Sequence, residues 1–284
     1  MLLLFPGRCS LFAGEALKLC ACAVIPSLFP FMVLSPLLVE SLPKGGRSGA
    51  AVCRSAFLIG MVTGFPVGAV TVAQMYRGGR LDKDRAERLL GVCSGAGPAF
   101  LIGYAGNALW GSAAAGWCYI LFQTAASLVL YLWYMRSADK APSPLSRAPE
   151  TTSAPSLSLP AAIRGAVQNV LAVCGFVVFF SVLRGLLCDV CTVLQLPLSL
   201  SLLLNGGTEM TGGLAEVAAC AFQGTPAGFV LSALFVGFGG VCVMMQVSAF
   251  AREAGLSMHH YLPQKLLCGG LCALFAAIAA LLFG

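Results

Sequence analysis

Few side chains in this sequence are placed to do covalent chemistry. There is no Gly-x-Ser-x-Gly nucleophile motif, no His-Glu-x-x-His metal pair and no phosphate-binding loop. His259 and His260 are adjacent, so on a helix they would point to different faces and could not form an i,i+4 metal pair; they read as interfacial residues. Of thirteen cysteines only Cys188 and Cys191 have C-x-x-C spacing, and no second pair faces them. Structural zinc takes four ligands in recognisable pairs, so the cysteines read as small apolar packing residues. No cofactor and no enzymatic activity are expected.

The chemistry that the sequence can support is non-covalent binding at broken helices. Three Gly/Pro-rich breaks interrupt apolar runs. The first holds Thr63, Gly64, Phe65, Pro66 and Gly68; the second holds Ser94, Gly95, Gly97 and Pro98; the third runs through Asn205, Gly206, Gly207, Thr208 and Glu209 to Gly213. Proline cannot continue a helical hydrogen-bond ladder, and glycine permits close backbone approach and unusual dihedrals. A broken helix exposes N-terminal amides with partial positive charge, which suit carboxylates and other anions. Glu209 lies between charge-free runs, where an ionisable group is costly and usually faces a cavity or partner. It is a candidate for binding a coupling cation or proton, or for bonding a substrate. Glu216, seven residues on, can share its helix face, Arg184 reads as a boundary arginine, and Gln246 is a polar residue inside an apolar run.

The elements that must position these residues are membrane helices. Of the 284 residues 58% are hydrophobic and 10% charged, with a mean hydropathy of +0.89. Soluble domains carry about 25% charged residues. No Asp, Glu, Lys or Arg occurs in 19–39, 55–76, 89–135, 165–183, 190–208, 217–251 or 266–284. About 20 apolar residues span a bilayer as a helix, and these runs lack the alternation of barrel strands. The lipid bilayer is therefore an expected partner. The formal charge of +6 sits in short loops, as membrane topology requires, and gives no nucleic-acid signal. Residues 1–5 are too short for the apolar core of a signal peptide.

A polar segment rich in Pro, Ser, Ala and Thr, 137–160, divides the chain into membrane repeats 1–136 and 161–284. A shift of 146 residues lays Leu17-Lys18 on Ile163-Arg164, Leu34-Ser35 on Phe180-Ser181 and Gly60 on Gly206. Paired Gly/Pro interruptions in two such halves point to a transporter's binding site. Loops 40–54 and 77–88 are both basic, with Lys44, Arg47, Arg54, Arg77 and Arg80 among their cations. A straight crossing by 55–76 would put them on opposite sides, against the positive-inside rule. A re-entrant hairpin turning at Thr63–Gly68 keeps them together; each arm would hold about eight residues, roughly 12 Å of helix. The segment 81–90 reads as a short solvated connecting helix with Asp82 as N-cap.

Several of these motifs resemble one family. Ile25-Pro26-Ser27-Leu28-Phe29-Pro30-Phe31, Gly64-Phe65-Pro66-Val67-Gly68-Ala69, Ala86-Glu87-Arg88-Leu89-Leu90 and Ser94-Gly95-Ala96-Gly97-Pro98 are similar to motifs of the YlbJ-like sporulation integral membrane proteins. So are Glu209-Met210-Thr211-Gly212-Gly213 and Gly239-Gly240-Val241-Cys242 with Gln246. The resemblance covers almost the whole chain apart from the linker. It implies nucleoside-recognition gate domains, distantly related to concentrative nucleoside transporters. The implied fold is all-α and polytopic, with two gate-type repeats, re-entrant hairpins and broken helices. The implied role is movement of the small dicarboxylate dipicolinate during endospore formation, across a cell membrane such as the outer forespore membrane. A nucleoside transporter and a non-transporting membrane protein needed for spore assembly are the alternatives.

Overall fold

A computed structural model describes residues 6–41, 49–138 and 158–283. The expected linker falls outside these over 139–157, and Lys44, Arg47 and residues 1–5 are outside them as well. The described residues contain helices and no strand. The chain is a multi-pass membrane protein: five helical stretches are long and apolar enough to cross a bilayer, namely Gly7–Glu40, Ala113–Arg136, Leu159–Val193, Pro226–Glu253 and Tyr261–Leu282. Their outward faces carry Trp117, Leu121 and Trp133, Leu171 and Phe179, and Leu266, Leu274 and Ile278, all exposed. Only a hydrocarbon surrounding makes so many exposed large apolar side chains favourable.

The same succession of elements occurs twice. The first begins with α1 (Pro6–Leu19), a π-helical turn (Cys20–Val24) and α2 (Ile25–Ser41), which together form one continuous helical stretch. A hairpin follows, made by α3 (Gly49–Thr63) and α4 (Val67–Arg77). Next comes a broken helix: α5 (Lys83–Val92), an extended break, then α6 (Pro98–Phe100) running into a π-helical segment (Leu101–Leu109). The long α7 (Ala113–Ala138) closes the half. The second succession is α8 (Leu159–Val193), the hairpin α9 (Leu198–Thr208) and α10 (Met210–Ala219), the broken helix α11 (Pro226–Phe238) and α12 (Gly240–Glu253), and α13 (Tyr261–Phe283).

Glycine contacts show that both hairpins reverse direction. Gly60 and Gly68 flank the first tip, and a methyl group added to Gly68 would lie 3.1 Å from the Cα of Gly60 while colliding with the carbonyl of Cys93. Residues eight apart on one continuous helix are about 12 Å apart, so the contact requires a turn. In the second hairpin a methyl group on Gly213 would strike the Cα of Gly206. The arms of the first hairpin are longer than the charge-free run suggests, 15 and 11 residues. The extra length is at the start of α3, where Arg54 stays exposed and donates to the carbonyl of Ala50. A basic residue near a membrane helix end can keep its charge in water this way.

Side-chain contacts fix which ends share a face. Arg80 donates to Glu40 O, joining the end of α2 to the end of the first hairpin. Glu87 accepts from Ser257 N at 2.8 Å, and Tyr134 packs against His260, adding the end of α7 and the turn before α13. At the opposite face Arg8 pairs with Asp189 at 2.6 Å, and Trp110 packs edge-on against Phe229. Each half therefore crosses the membrane with its long first helix, its broken helix and its last helix, and enters and leaves on the same side with its hairpin. Three crossings are odd in number, so the second half runs inverted relative to the first. Arg77, Arg80, Lys83, Arg85, Arg88, Arg136, Arg164 and Arg252 all belong to the first face. The positive-inside rule makes that face cytoplasmic.

The segment 81–90 is not the solvated connector that its charges suggest. Asp82 does cap α5, accepting from Arg85 N at 2.9 Å. But Leu89 and Leu90 are fully buried and Glu87 is bound to the turn before α13. This helix is the first half of a discontinuous membrane helix. The two histidines lie at this face, as interfacial residues would, but in a turn and not on a helix: their ring centroids are 3.7 Å apart, and His259 Nδ1 is 3.6 Å from Glu87. With these contacts in place, cysteines introduced at Arg77 and Ser257 should label with an impermeant maleimide from one face, and one at Gln223 from the other. Labelling of Arg77→Cys and Ser257→Cys from opposite faces would contradict the hairpin.

Candidate functional site

Four half-helices, α4, α6, α10 and α12, begin at breaks. The break between α11 and α12 falls after 13 of the 28 residues of its span, near the middle of the membrane. Each break is formed for an identifiable reason. Gly64, Gly239 and Gly240 have φ of 76°, 82° and 83°, a region that costs other residues strain. The Phe65–Pro66 peptide is cis. After Cys93 the chain leaves the helix, Gly97 is extended, and Gln123 of α7 closes the break like a neighbouring strand. Its amide accepts from Ala96 N at 2.7 Å and donates to Ala96 O at 2.9 Å. Unpaired peptide groups are costly in lipid, and this side chain satisfies two of them.

The breaks surround a cavity of about 210 Å³. The long helix of each half forms part of its wall, through Leu28 and Phe31 on one side and Val173 and Val177 on the other. Thr63 and Phe65 come from the first hairpin, Gly97 and Pro98 from the first broken helix, Glu209 from the second hairpin and Gln246 from α12. The tertiary fold thus brings together these six of the residues singled out in the sequence. Ser27, Phe100, Met210, Thr211 and Cys242 also line the cavity. Ser27, Met210, Thr211 and Cys242 fall inside the motifs quoted above, but nothing in the sequence marked them, or Phe100, as lining a cavity.

The other sequence candidates are structural supports of the breaks. Ser94 is fully buried, and its hydroxyl donates to Leu90 O. Gly64 packs against Gly97, Gly68 against Cys93 and Gly95 against the amide of Gln123. Pro66 N-caps α4 at the turn. Gly206 lies under the ring of Phe235. Gly207 has open space beside it, and Thr208 is outside the cavity wall with its hydroxyl bonded to Leu204 O. Asn205 is fully buried and donates to Glu216 at 3.0 Å, inside the second hairpin. The expectation that Ser94, Asn205 and Thr208 face a ligand is therefore corrected. Beside a helix break a short polar side chain finds a partner nearby, in the backbone for Ser94 and Thr208 and in the facing helix for Asn205.

Glu209 has a defined and unexpected geometry. It is 4% exposed, and its two carboxylate oxygens accept from Thr211 N at 2.8 Å and Gly212 N at 2.7 Å. The chain's own carboxylate thus occupies the positive end of α10, where an external anion would otherwise bind. The remaining break amides, at Ala99 and Phe100 and around Cys242 and Val243, belong to residues of the cavity wall. Thr63 donates to Ile59 O and keeps its oxygen lone pairs. Gln246 is 2% exposed; its amide nitrogen contacts Cys242 Sγ at 3.3 Å, and its Oε1 has no partner.

Glu209 also lines a second, more polar cavity of about 410 Å³, with Glu15, Lys18, Tyr104 and Arg184. This vestibule lies toward the face of Arg8 and Asp189. Arg184 does not snorkel outward. It pairs with Glu216, and with a side chain 16% exposed it ties α8 to the second hairpin. Asp189, its neighbour in sequence, pairs with Arg8 instead.

With the whole helical architecture in view, one similarity can be stated. The chain is similar to the sporulation integral membrane protein YlbJ of Bacillus subtilis (strain 168). Identity is 25% over an alignment of 301 residues, covering 90% of this chain and 73% of the relative. No family model and no solved structure matches the chain. At 90% of the chain, the similarity to YlbJ reaches into both halves.

The glycine contacts at the first hairpin yield a direct test. Gly68→Ala forces a methyl group into the Cys93 carbonyl, which the backbone can relieve only by shifting, at a cost of about 3 kcal/mol. Gly175→Ala, in α8 with open space around it, should be neutral or stabilise by up to about 1 kcal/mol. Thermal unfolding of the two variants in detergent measures the contrast; equal midpoints would refute the close approach.

Proposed function

We propose that this protein is a transporter of a small anionic molecule, with a role in the membranes of sporulating cells. The sporulation context rests on the relative's printed name and on the motif resemblance. The transport reading rests on one observation, the meeting of hairpin tips and broken helices from both halves at a single buried cavity. Discontinuous helices around a central site, in two inverted halves, are the architecture of secondary transporters. Rocking or opening of one hairpin relative to the rest would expose the cavity to either face. The gate-type repeats of the resemblance correspond to the hairpin and broken helix of each half.

Dipicolinate is the substrate best suited to the cavity. A flat ring would pack against Phe31, Phe65 and Phe100, while its carboxylates take the amides of Ala99 and Phe100 and of Cys242 and Val243 and the side chains of Thr63 and Gln246. A volume near 210 Å³ is below the roughly 300–1,000 Å³ typical of drug-sized ligands, which favours a single substituted ring over a nucleoside. Glu209 is not the direct ligand of a substrate carboxylate. It holds the tip of the second hairpin closed and separates cavity from vestibule, where a proton or cation arriving with the substrate would act on it. Binding and translocation account for the site without an enzymatic step.

Uptake of labelled dipicolinate into proteoliposomes tests the proposal, with wild type beside Glu209→Gln. The substitution removes the charge and one acceptor of the cap, a stability loss of about 1 kcal/mol. Saturable uptake by wild type that falls at least about tenfold in the folded variant is the expected result. Equal uptake by both would remove Glu209 from the mechanism. Uptake of uridine and not dipicolinate would reassign the substrate, and no uptake of either in any gradient would favour the non-transporting role in spore assembly.

A further inference from the structure

Lys265 is buried in the middle of the helix bundle. It belongs to α13, is 2% exposed and donates from Nζ to the carbonyl of Ser94 at 2.9 Å. Among the described residues it has no carboxylate partner; Cys268 and Cys272, three and seven residues further along α13, share its helix face. Burying an unpaired ammonium is among the most costly placements available to a side chain. Something in its surroundings must substitute for the missing acid.

Two helix C-termini do so. Ser94 immediately follows the end of α5, whose C-cap is Cys93. The other end is that of α11, capped by Gly239, where an added methyl group would be 3.7 Å from Lys265 Cε. The last carbonyls of a helix lack intrahelical partners and carry about half a negative charge. The adjacent Gln264 serves the same end of α5, donating to Arg88 O at 2.8 Å, and Gly91 lets α13 approach closely enough for both side chains to reach. Both broken helices therefore present their negative ends to α13, while their positive ends, at 98–100 and 240–243, begin at the cavity.

We propose that Lys265 is a resident cation for the crossing of the two broken helices. It neutralises the negative ends of α5 and α11, and so holds both breaks open with their positive ends on the cavity side. It is a positioning residue and does not touch a ligand. A void left at this place would select a small primary alkylammonium ion.

The full-length protein in detergent, unfolded by heat, tests this without reference to any transported substrate. Lys265→Ala should lower the midpoint by about 5 °C or more. Ethylammonium at tens of millimolar should restore at least half of the loss, and the same concentration of propanol should not. Wild type should respond to neither. Lys265→Gln keeps a hydrogen-bond donor without the charge and should lose as much as the alanine variant. A midpoint for Lys265→Gln within about 1 °C of wild type, or equal rescue of Lys265→Ala by amine and alcohol, would overturn the proposal. If Lys265→Ala does not accumulate in membranes, accumulation of Lys265→Arg but not of Lys265→Gln supports it, and the same behaviour in both variants overturns it.

Discussion

Unsatisfied peptide groups are very costly in a hydrocarbon medium, and the rest of this structure follows from how they are managed. A continuous helix meets the requirement by itself. A broken one does not, so every interruption needs partners from elsewhere in the fold. At 93–97 the partners are Gln123 of α7 and Lys265 of α13. At the tip of the second hairpin the partner is the side chain of Glu209. The first tip turns through Gly64 and sends Phe65 N to Gly95 O at 2.6 Å, so one break closes another. The two interruptions of the first half are thus hydrogen-bonded to each other, and in the second half Gly240 packs directly against the hairpin tip at Thr208 and Met210.

Close packing supplies the second condition. The hairpins are narrow because glycines face each other across them, Gly60 with Gly68 and Gly206 with Gly213. In lipid, where apolar side chains gain little by leaving their surroundings, small residues let backbones approach and collect dispersion contacts. The polar interactions follow from that approach. Arg184 lies over Gly212 and reaches Glu216, which also accepts from Asn205. A larger residue at position 212 would displace the guanidinium and open the second hairpin from α8.

The separation of charge within the centre gives the cavity its character. Negative helix ends meet Lys265 on one side, and positive helix ends meet a mostly apolar chamber on the other. Glu209 lies between that chamber and the vestibule with its charge spread over two backbone donors. A small ligand carrying both an apolar ring and anionic groups fits this division. The inverted order of the halves then offers a path to each face, because each hairpin opens toward a different side.

Composition and runs without charge determined by themselves that the chain crosses a membrane many times as helices. Hydropathy is a sum over residues and needs no knowledge of their neighbours. The breaks were legible for a local reason: Pro66, Pro98 and the paired glycines cannot sustain a helix in any surroundings. The basic loops on both sides of 55–76 likewise revealed the first hairpin. What sequence could not decide is which polar side chains face the cavity. Ser94, Asn205 and Thr208 looked like ligands because they flank breaks, but Ser94 and Thr208 bond to carbonyls one turn back and Asn205 bonds to Glu216 across the second hairpin. Gln123, Gln264 and Lys265 gave no sign of importance, because their partners are more than 25 residues away in the chain. Those choices depend on distances between helices, and only the tertiary structure sets them.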